Sequence, residues 1–408
     1  MTTQMRTGRR PTGALLIIAL TLLAAAFASA QTTTTTTKQV ASTDSTAVTS
    51  VGLDAGVTSM AADANGNLYA SLQYTNKVVK LNGAGTVVAT FAVGRNPTGL
   101  IVDNNNGGWL YVLNNADNTV SKLKLDGTPY ATFKVAGDGP VHAALYGGVL
   151  YVACERSNTL VRLSATDGTA LGSSPVGARP VWVVVSVTTT KYYYTSSGSD
   201  LASADGTTAT AECLDCGTTT EGESTTIDAS TTTDGGGTAP PPESGTTTLD
   251  GESSATLSGS GSRTTKTVTT VNIYVSCNKA NEVWKVASDG SLVAKFATGR
   301  GPFGLAVNSR GELFVACFWD AFVQRFNSSG TVLSKTVVGD GPAGVIPYGG
   351  SYLAVVSNGA NSVTRLSLAD GTIISKDLVD RSPLIGAATP SALWVACTGS
   401  GTIARRAL

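Results

Sequence analysis

The sequence predicts an all-β protein that folds as a seven-bladed β-propeller, and three observations support this. A short aromatic–aliphatic phrase recurs along the chain, as at 110–112, 150–152 and 313–315. A proline lies shortly before most copies, and by subtraction these prolines are 43, 40, 122, 40 and 41 residues apart. Asp-Gly pairs, which favour β-hairpins, recur at matching positions. A period near forty residues with four short strands per unit is typical of propeller blades.

Residues 1–30 have the pattern of a secretory signal peptide. Arg6, Arg9 and Arg10 precede an apolar run over 14–26, and Ala28-Ser29-Ala30 forms an A-x-A cleavage site. The alternative is an uncleaved membrane anchor, but the run is short for a span. We therefore expect a secreted, extracellular protein with no membrane span after cleavage of the signal.

Residues 31–45 include a threonine tract, 32–37, that cannot bury enough apolar surface to fold, so we expect a flexible tether. The chain carries 28 Lys and Arg against 28 Asp and Glu, a net charge of zero. Such a balance provides no positive field for nucleic acid or for an anionic membrane. We therefore expect no function based on a basic surface.

Residues 46–408 are predicted to form the propeller. In the most regular unit, strands are expected over 303–308, 313–317, 322–326 and 332–338. The first strand of a unit is almost entirely apolar, as expected next to the central axis. The predicted blades begin at Val57, Pro97, Pro140, Pro180, Pro302, Pro342 and Pro383.

The seventh unit ends after three strands, and the N-terminal segment 46–51 resembles a missing fourth strand. A strand from the beginning of the chain that completes the last blade would close the ring and remove open sheet edges. We therefore expect closure by an N-terminal strand, and a monomer.

The one long gap between prolines falls in blade 4 and contains a Thr/Ser/Gly-rich insertion, 198–268, whose composition predicts disorder. Its flanks, 191–195 and 265–271, are rich in β-forming residues, so the two inner strands are expected to extend as a hairpin. The alternative is a broken eighth blade. Cys213 and Cys216 within the insertion favour a local disulfide over a zinc site, because no second ligand pair lies nearby.

Four further cysteines occupy one repeated position: Cys154, Cys277, Cys317 and Cys397. Equivalent positions on neighbouring blades lie too far apart for a disulfide, because packed sheets are about 10 Å apart. We expect these cysteines to be small buried core residues.

The phrase 111–120, Tyr-Val-Leu-Asn-Asn-Ala-Asp-Asn-Thr-Val, resembles the YVTN repeat, and 63–69 and 308–314 are similar to NHL repeats. The repeat style also resembles that of virginiamycin B lyase. This resemblance implies a catalytic histidine and a divalent metal site. This chain has a single histidine, His142, on a predicted inner strand. It is a weak catalytic candidate, and the alternative is a structural hydrogen bond to a neighbouring backbone group.

The predicted inner strands contain no carboxylate within the channel, whereas a hard divalent cation prefers anionic oxygen ligands. We therefore expect neither a metal site nor an organic cofactor.

In propeller topology, the turns between blades and the loops between second and third strands share one face, which the blade 4 insertion leaves free. Exposed aromatic residues beside mixed charges on such a face suit a protein or glycan partner. The candidate ligand-binding residues are Tyr74, Arg95, Asp138, Arg156, Arg179, Arg300, Trp319, Asp320, Asp340 and Arg381. Asn327, in an Asn-Ser-Ser sequon, is a glycosylation candidate.

Two functions follow from these observations. The first is a secreted, non-catalytic binding module for an extracellular protein or glycan. The alternative is a secreted lyase or hydrolase of the streptogramin lyase or lactonase type, acting in the central channel with His142 as acid or base. The fold alone does not decide between them, because propellers host many functions.

Overall fold

The computed structural model describes residues 35–36, 49–53, 56–105, 107–195, 208–210, 247–256 and 262–408. The chain is all-β, and its sheets form seven blades arranged as a β-propeller, which confirms the predicted fold class. Across these ranges, no helix is long and apolar enough to cross a membrane.

Two short strands open the described chain, β1 (Thr35–Thr36) and β2 (Thr49–Gly52). Blade 1 contains β3 (Val57–Ala62), β4 (Leu68–Leu72), β5 (Lys77–Leu81) and β6 (Val87–Ala92). Blade 2 contains β7 (Pro97–Asp103), β8 (Trp109–Asn114), β9 (Thr119–Lys124) and β10 (Pro129–Lys134). Blade 3 contains β11 (Pro140–Tyr146), β12 (Val149–Cys154), β13 (Thr159–Ser164) and β14 (Ala170–Pro175).

Blade 4 contains β15 (Pro180–Thr195), β16 (Thr208–Thr210), β17 (Thr247–Thr256), β18 (Ser262–Cys277), β19 (Glu282–Ala287) and β20 (Leu292–Ala297). Blade 5 contains β21 (Pro302–Val307), β22 (Leu313–Cys317), β23 (Phe322–Phe326) and β24 (Val332–Val337). Blade 6 contains β25 (Pro342–Tyr348), β26 (Tyr352–Ser357), β27 (Ser362–Ser367) and β28 (Ile373–Leu378). Blade 7 contains β29 (Pro383–Thr389), β30 (Ala392–Cys397) and β31 (Thr402–Ala407).

Each blade is an antiparallel meander, and in blades 1, 2, 3, 5 and 6 the first two strands are mostly buried whereas the fourth has at most one buried residue. The first strand β21 is almost entirely buried, whereas the outermost strand β24 has no buried residue. The register shifts at the start of every first strand, as between Pro97 and Gly99, so one residue is bulged at each of these sites. The repeating apolar composition of the first strands therefore reflects their position around the axis.

The N-terminal strand closes the ring, as the sequence predicts. Strand β2 pairs antiparallel with β31, so that Thr49 lies opposite Arg405, and Val51 is buried. Ser50 Oγ donates a hydrogen bond to Asp380 Oδ2 at 2.8 Å, on the turn into blade 7. The first strands contact one another from β3 around to β29, and β29 contacts β3 again.

The inner strands of blade 4 extend well beyond the length of their counterparts. Strands β15 and β18 stay in register from the pair Pro180 and Cys277 to the pair Thr195 and Arg263. The extended hairpin is therefore confirmed, and the described residues form seven blades without an eighth. Strands β16 and β17 pair with the extension and, like the first part of β18, lie within the range 198–268.

Several predictions fall on residues outside those described. These are the signal peptide at 1–30, nearly all of the tether at 31–45, the rest of the insertion, and Cys213 and Cys216. They stay predictions. The four repeated cysteines are described, and all are buried and free, as expected.

A cation on the third strand of every blade lies opposite an aromatic or small residue of the second strand. In blade 2, Lys122 pairs in register with Tyr111, and its Nζ donates to the main-chain oxygen of Ala165 in blade 3 at 2.8 Å. In blade 7, Arg405 Nε donates to the oxygen of Gly83 in blade 1 at 3.1 Å. These bonds link neighbouring blades, and the equivalent residues are Lys80, Arg162, Lys285, Arg325 and Arg365.

Candidate ligand-binding site

The two faces of the ring are formed by different turns and loops, and we call them the upper and the lower face. The upper face consists of the turns between blades and the loops between second and third strands, and the lower face consists of the remaining turns. On the upper face, the loop after β8 bonds to the turn before β7, because Asn115 N donates to Asn96 O at 2.9 Å. The same bond joins Phe318 N to Gly301 O at 3.0 Å in blade 5. Each blade therefore presents one turn and one loop as a unit.

In blade 5 this unit contains three of the predicted site residues, Arg300, Trp319 and Asp320. The Arg300 guanidinium Nε donates to Asp320 Oδ1 at 2.6 Å, and its main-chain N donates to Oδ2 at 2.7 Å. These hydrogen bonds hold the pKa of Asp320 below its usual value, and the bond from the main-chain N–H of Arg300 contributes most. The carboxylate therefore fixes the guanidinium in an exposed position.

Trp319 lies directly against the turn between blades. Its ring packs over Gly301, where a Cβ atom would lie 2.4 Å from the indole Cδ1, and the φ of this glycine is +65°. Phe318 supports the indole through an edge contact, with ring centroids 4.8 Å apart. Trp319 is nevertheless 49 % exposed. A rigidly supported, half-exposed indole thus lies beside a fixed guanidinium.

An aromatic track leads from this indole towards the axis. Phe318 is 6.4 Å from Phe303 on the innermost strand, and Phe303 is 6.3 Å from Trp182 in blade 4. Trp182 in turn stacks on His142 in blade 3, with ring centroids 4.0 Å apart. Three blades therefore contribute side chains to one continuous line of rings.

Three other predicted site residues, Arg95, Asp138 and Arg156, also form ion pairs on the upper face, but at other blades. Arg95 Nε donates to Asp117 Oδ1 at 2.5 Å in blade 2. Arg156 Nη2 donates to Asp138 Oδ1 at 2.9 Å in blade 3, and its Nη1 reaches Asn115 Oδ1 in blade 2 at 2.7 Å. Arg156 therefore links two blades, and the Arg156 guanidinium lowers the pKa of Asp138.

The remaining four predicted positions contribute less to a common cluster. Arg179 lies 3.6 Å from Glu155 across the junction of blades 3 and 4. The main-chain oxygens of Asp340 and Arg381 accept N–H groups from the loops of their own blades. Tyr74 is 40 % exposed and packs on the turn into blade 1. The structure thus distributes the predicted residues around the ring, with Arg300, Trp319 and Asp320 together in blade 5 and Asp138 and Arg156 together in blade 3.

His142 is buried near the axis rather than exposed in an open cleft. Its Nδ1 accepts a hydrogen bond from the main-chain N of Val183 at 3.3 Å, while its ring stacks on Trp182. This arrangement connects the inner strands of blades 3 and 4. Within the described ranges, no group of three or more His, Cys, Asp or Glu residues could hold a metal ion.

The sequon residue Asn327 lies in the turn between β23 and β24 on the lower face. Its Oδ1 accepts hydrogen bonds from Ser329 N, Ser329 Oγ and Thr331 N, at 3.2, 2.8 and 2.8 Å, while Ser328 and Ser329 are exposed. These bonds order the turn and use only the amide oxygen. Glycosylation of Asn327 stays a prediction.

Sequence reasoning missed residues that complete these groups. Asp117 pairs with Arg95 from a loop some twenty residues away, which a period-based pattern does not connect. Trp182 and Phe303 lie on inner strands of different blades, and the sequence pattern does not connect them into the aromatic track. One signal was available: Phe303 stands where other first strands carry Thr, Val, Ala or Leu, and Trp182 stands where they carry Ser, Gly, His or Ile.

No protein-family profile and no curated protein matches the chain. Solved structures do match. Streptogramin B lyase is similar with a TM-score of 0.60 and 13 % identity, over 88 % of this chain and 97 % of that one. The chain shares the fold of the streptogramin lyases.

Two further structures support the same fold. A catalytically inactive histidine-to-alanine variant of virginiamycin B lyase from Staphylococcus aureus, with quinupristin, has a TM-score of 0.60 at 12 % identity, over 89 % of this chain and 99 % of that one. The WD40 β-propeller domain of Doa1 has a TM-score of 0.56 at 10 % identity, over 87 % and 94 %. At such identities the likeness concerns the fold and not the activity.

Proposed function

We propose that this protein is a secreted, non-catalytic binding propeller whose upper face binds an extracellular protein or glycan, with Trp319 as the anchor. The observation that supports this best is the half-exposed indole of Trp319, packed on Gly301 and supported by Phe318. Tryptophan and arginine are enriched among residues that dominate binding energy. An aromatic side chain that is already rigid loses little entropy when a ligand binds.

The neighbouring charges suit the same role. The Arg300 side chain is 69 % exposed, yet Asp320 holds its guanidinium at 2.6 Å. Its remaining N–H groups extend the polar surface beside the indole and match hydroxyl, carbonyl or carboxylate oxygens of a ligand. An apolar anchor with polar groups at its edge is the usual organisation of a binding site.

The test is a glycan array together with a pull-down from extracellular material, using the full chain. We expect Trp319→Ala and Arg300→Ala each to weaken binding of the captured ligand by about tenfold or more. Leu378→Ala, which removes an exposed apolar side chain on the outermost strand of blade 6, is the matched control. Full binding by Trp319→Ala would contradict the assignment of this face.

A second candidate is a secreted lyase or hydrolase that acts in the central channel, and its support is the fold shared with streptogramin B lyase. The protein in the quinupristin structure is inactive after a histidine is replaced by alanine. Here the only histidine is His142, and its Nδ1 already accepts the Val183 N–H. We expect no turnover of quinupristin. Turnover that His142→Ala abolishes would establish the lyase and overturn the non-catalytic assignment.

A further inference from the structure

A separate cavity of about 420 Å³ opens at the lower face between blades 2 and 3. It lies among the turns opposite the upper face, so it shares no residue with the Trp319 group. Its volume falls within the range of small-molecule sites. Its walls include the aromatic side chains of Trp109, Tyr111, Tyr130 and Tyr146.

The cavity contains a buried cation. Lys122 is only 4 % exposed, and its Nζ donates to the main-chain oxygens of Ala165 and Thr166 at 2.8 and 3.1 Å. An ammonium group has three N–H donors, so these two bonds leave one for a ligand. Burial lowers the pKa of Lys122, and a bound anion would relieve that cost.

A second ammonium group lies beside the cavity. Lys124 Nζ is 3.6 Å from the centre of the Trp109 ring, and Lys122 Nζ is 4.3 Å from it. Lys122 Nζ is also 5.0 Å from the Tyr130 ring. Aromatic rings such as these attract cations, but the rings of Trp109 and Tyr130 already contact two ammonium groups, those of Lys122 and Lys124. A cationic ligand would therefore be repelled, and an anionic one attracted.

The repeat itself shows that these residues are particular to blade 2. Trp109 and Lys124 face each other in register. The same pair of positions holds Val149 and Ser164, Asn272 and Ala287, Tyr352 and Ser367, and Ala392 and Ala407 in other blades. Tyr130 occupies a bulge where blade 1 has Val88. The blade fold therefore does not require a tryptophan, a lysine or a tyrosine at these positions.

Polar groups complete the cavity. Asp103 is buried, and its Oδ1 accepts the main-chain N–H of Asn105 at 2.9 Å. The second carboxylate oxygen and the Asn105 amide can bond to hydroxyl groups. Two exposed carboxylates, Asp167 near Lys122 and Asp126 near Lys124, also act on these ammonium groups, but solvent screens them. Inside the cavity the buried charges are the Lys122 ammonium and the Asp103 carboxylate, so the third N–H of Lys122 and the neighbouring Lys124 provide the contacts for an anion.

We propose that this cavity binds an acidic saccharide, a pyranose ring that carries a carboxylate. The apolar face of the ring would pack on Tyr130 and Tyr146, and the hydroxyl groups would bond to Asp103 and Asn105. The carboxylate would lie against Lys122 and Lys124. Each part of the ligand thus meets a group of matching chemistry.

The test is isothermal titration calorimetry, with saturation-transfer NMR, of the full chain against D-glucuronate and D-glucose. These probes differ by the carboxylate. We expect glucuronate to bind and glucose to bind at least about tenfold more weakly, because hydrogen bonds to charged groups dominate recognition. Equal binding of the two sugars, or no binding of glucuronate, would overturn the proposal.

The variants adopt residues that other blades use, which preserves the fold. Tyr130→Val and Lys124→Ser should each weaken glucuronate binding by about tenfold with an unchanged melting temperature. The control is Lys295→Ser in blade 4, which removes an ammonium group 4.1 Å from the Trp284 ring, outside this cavity. Trp319→Ala should leave glucuronate binding intact, so the upper-face proposal is tested separately. If both cavity variants bound glucuronate with unchanged affinity, the sugar would bind outside this cavity and the proposal would be wrong.

Discussion

At the scale of single residues, hydrogen-bonded carboxylates hold turns and blades in place. Glu312 accepts several such hydrogen bonds. Its Oε2 accepts bonds from Asn308 Nδ2, Arg310 Nη2 and Arg325 Nη2, at 2.6, 3.0 and 2.8 Å. Arg325 also donates to the main-chain oxygens of blade 6, so this group connects blades 5 and 6. Burial alone would raise the pKa of Glu312, but the donated hydrogen bonds outweigh burial and lower it.

This lowered pKa predicts a pH-dependent contribution to stability. A carboxylate whose pKa is lower in the folded than in the unfolded chain stabilises the fold at pH values above its pKa in the unfolded chain, here 4.5. That stabilisation is lost as the pH falls through the lower folded value. We expect Glu312→Gln to reduce the free energy of unfolding by about 1–2 kcal/mol at pH ~7, and by much less at pH ~3. Urea unfolding at the two pH values measures both, and an equal loss at both would contradict the argument.

At the scale of elements, an asparagine connects the second-to-third-strand loop to the next turn between blades in five of the seven blades. The residue before the third strand has a positive φ, as at Asn118, with φ 52°. Its side-chain Oδ1 accepts the N–H of the following turn, at 2.7–2.9 Å in five blades. The asparagines are Asn76, Asn118, Asn158, Asn281 and Asn361. Asparagine suits this position because it tolerates the left-handed conformation and supplies the acceptor.

Blade 5 departs from this pattern and therefore offers a stabilising substitution. Ala321 has the same conformation, with φ 55°, but no side-chain acceptor for the N–H of Gly341. Alanine in the left-handed region costs about 1–2 kcal/mol, and asparagine costs less. We expect Ala321→Asn to raise the free energy of unfolding by about 1 kcal/mol, and the melting temperature by about 2 °C. Calorimetry measures the shift.

The matched control for this substitution is the reverse change in blade 6. Asn361→Ala removes the acceptor for Ser382 N, a bond of 2.8 Å. We expect a loss of about 1 kcal/mol. If neither substitution changed stability, the hydrogen bond from the asparagine would not contribute to the fold.

At the scale of the whole molecule, the ring depends on a strand from the other end of the chain. Strand β31 would be an open edge without β2, and its neighbour β30 contains the buried Trp394. Open edges present unpaired N–H and C=O groups to other molecules. Closure therefore protects the last blade and also fixes the contact between β29 and β3.

Deleting residues 44–56 tests this closure. We expect the truncated chain to aggregate, because the edge of β31 becomes free to pair with another copy. Light scattering after size-exclusion chromatography, with a thermal melt, measures the outcome. Deleting 31–34, which leaves both β1 and β2 in place, is the control. A truncated chain that stays monomeric with an unchanged melting curve would refute the role of this strand.

The fold could be predicted because its strands and turns recur with a constant period. The contacts between site residues could not, because the repeat pattern does not connect them. All seven predicted blade starts, from Val57 to Pro383, coincide with the observed first strands. The strands predicted at 313–317 and 322–326 have the observed bounds. Arg300 and Asp320 are both predicted site residues, but the sequence does not predict their ion pair, which depends on the contact between two loops.

The amino-acid sequence alone determined the blade count, the strand order and the closing strand, because apolar alternation and turn residues recur with a constant period. Tertiary structure decided which side chains meet. The aromatic track from His142 to Trp319 crosses three blades, and the lower cavity joins blades 2 and 3. Both arise from the packing of neighbouring sheets, whose contacts depend on the twist and spacing of whole blades rather than on local pattern.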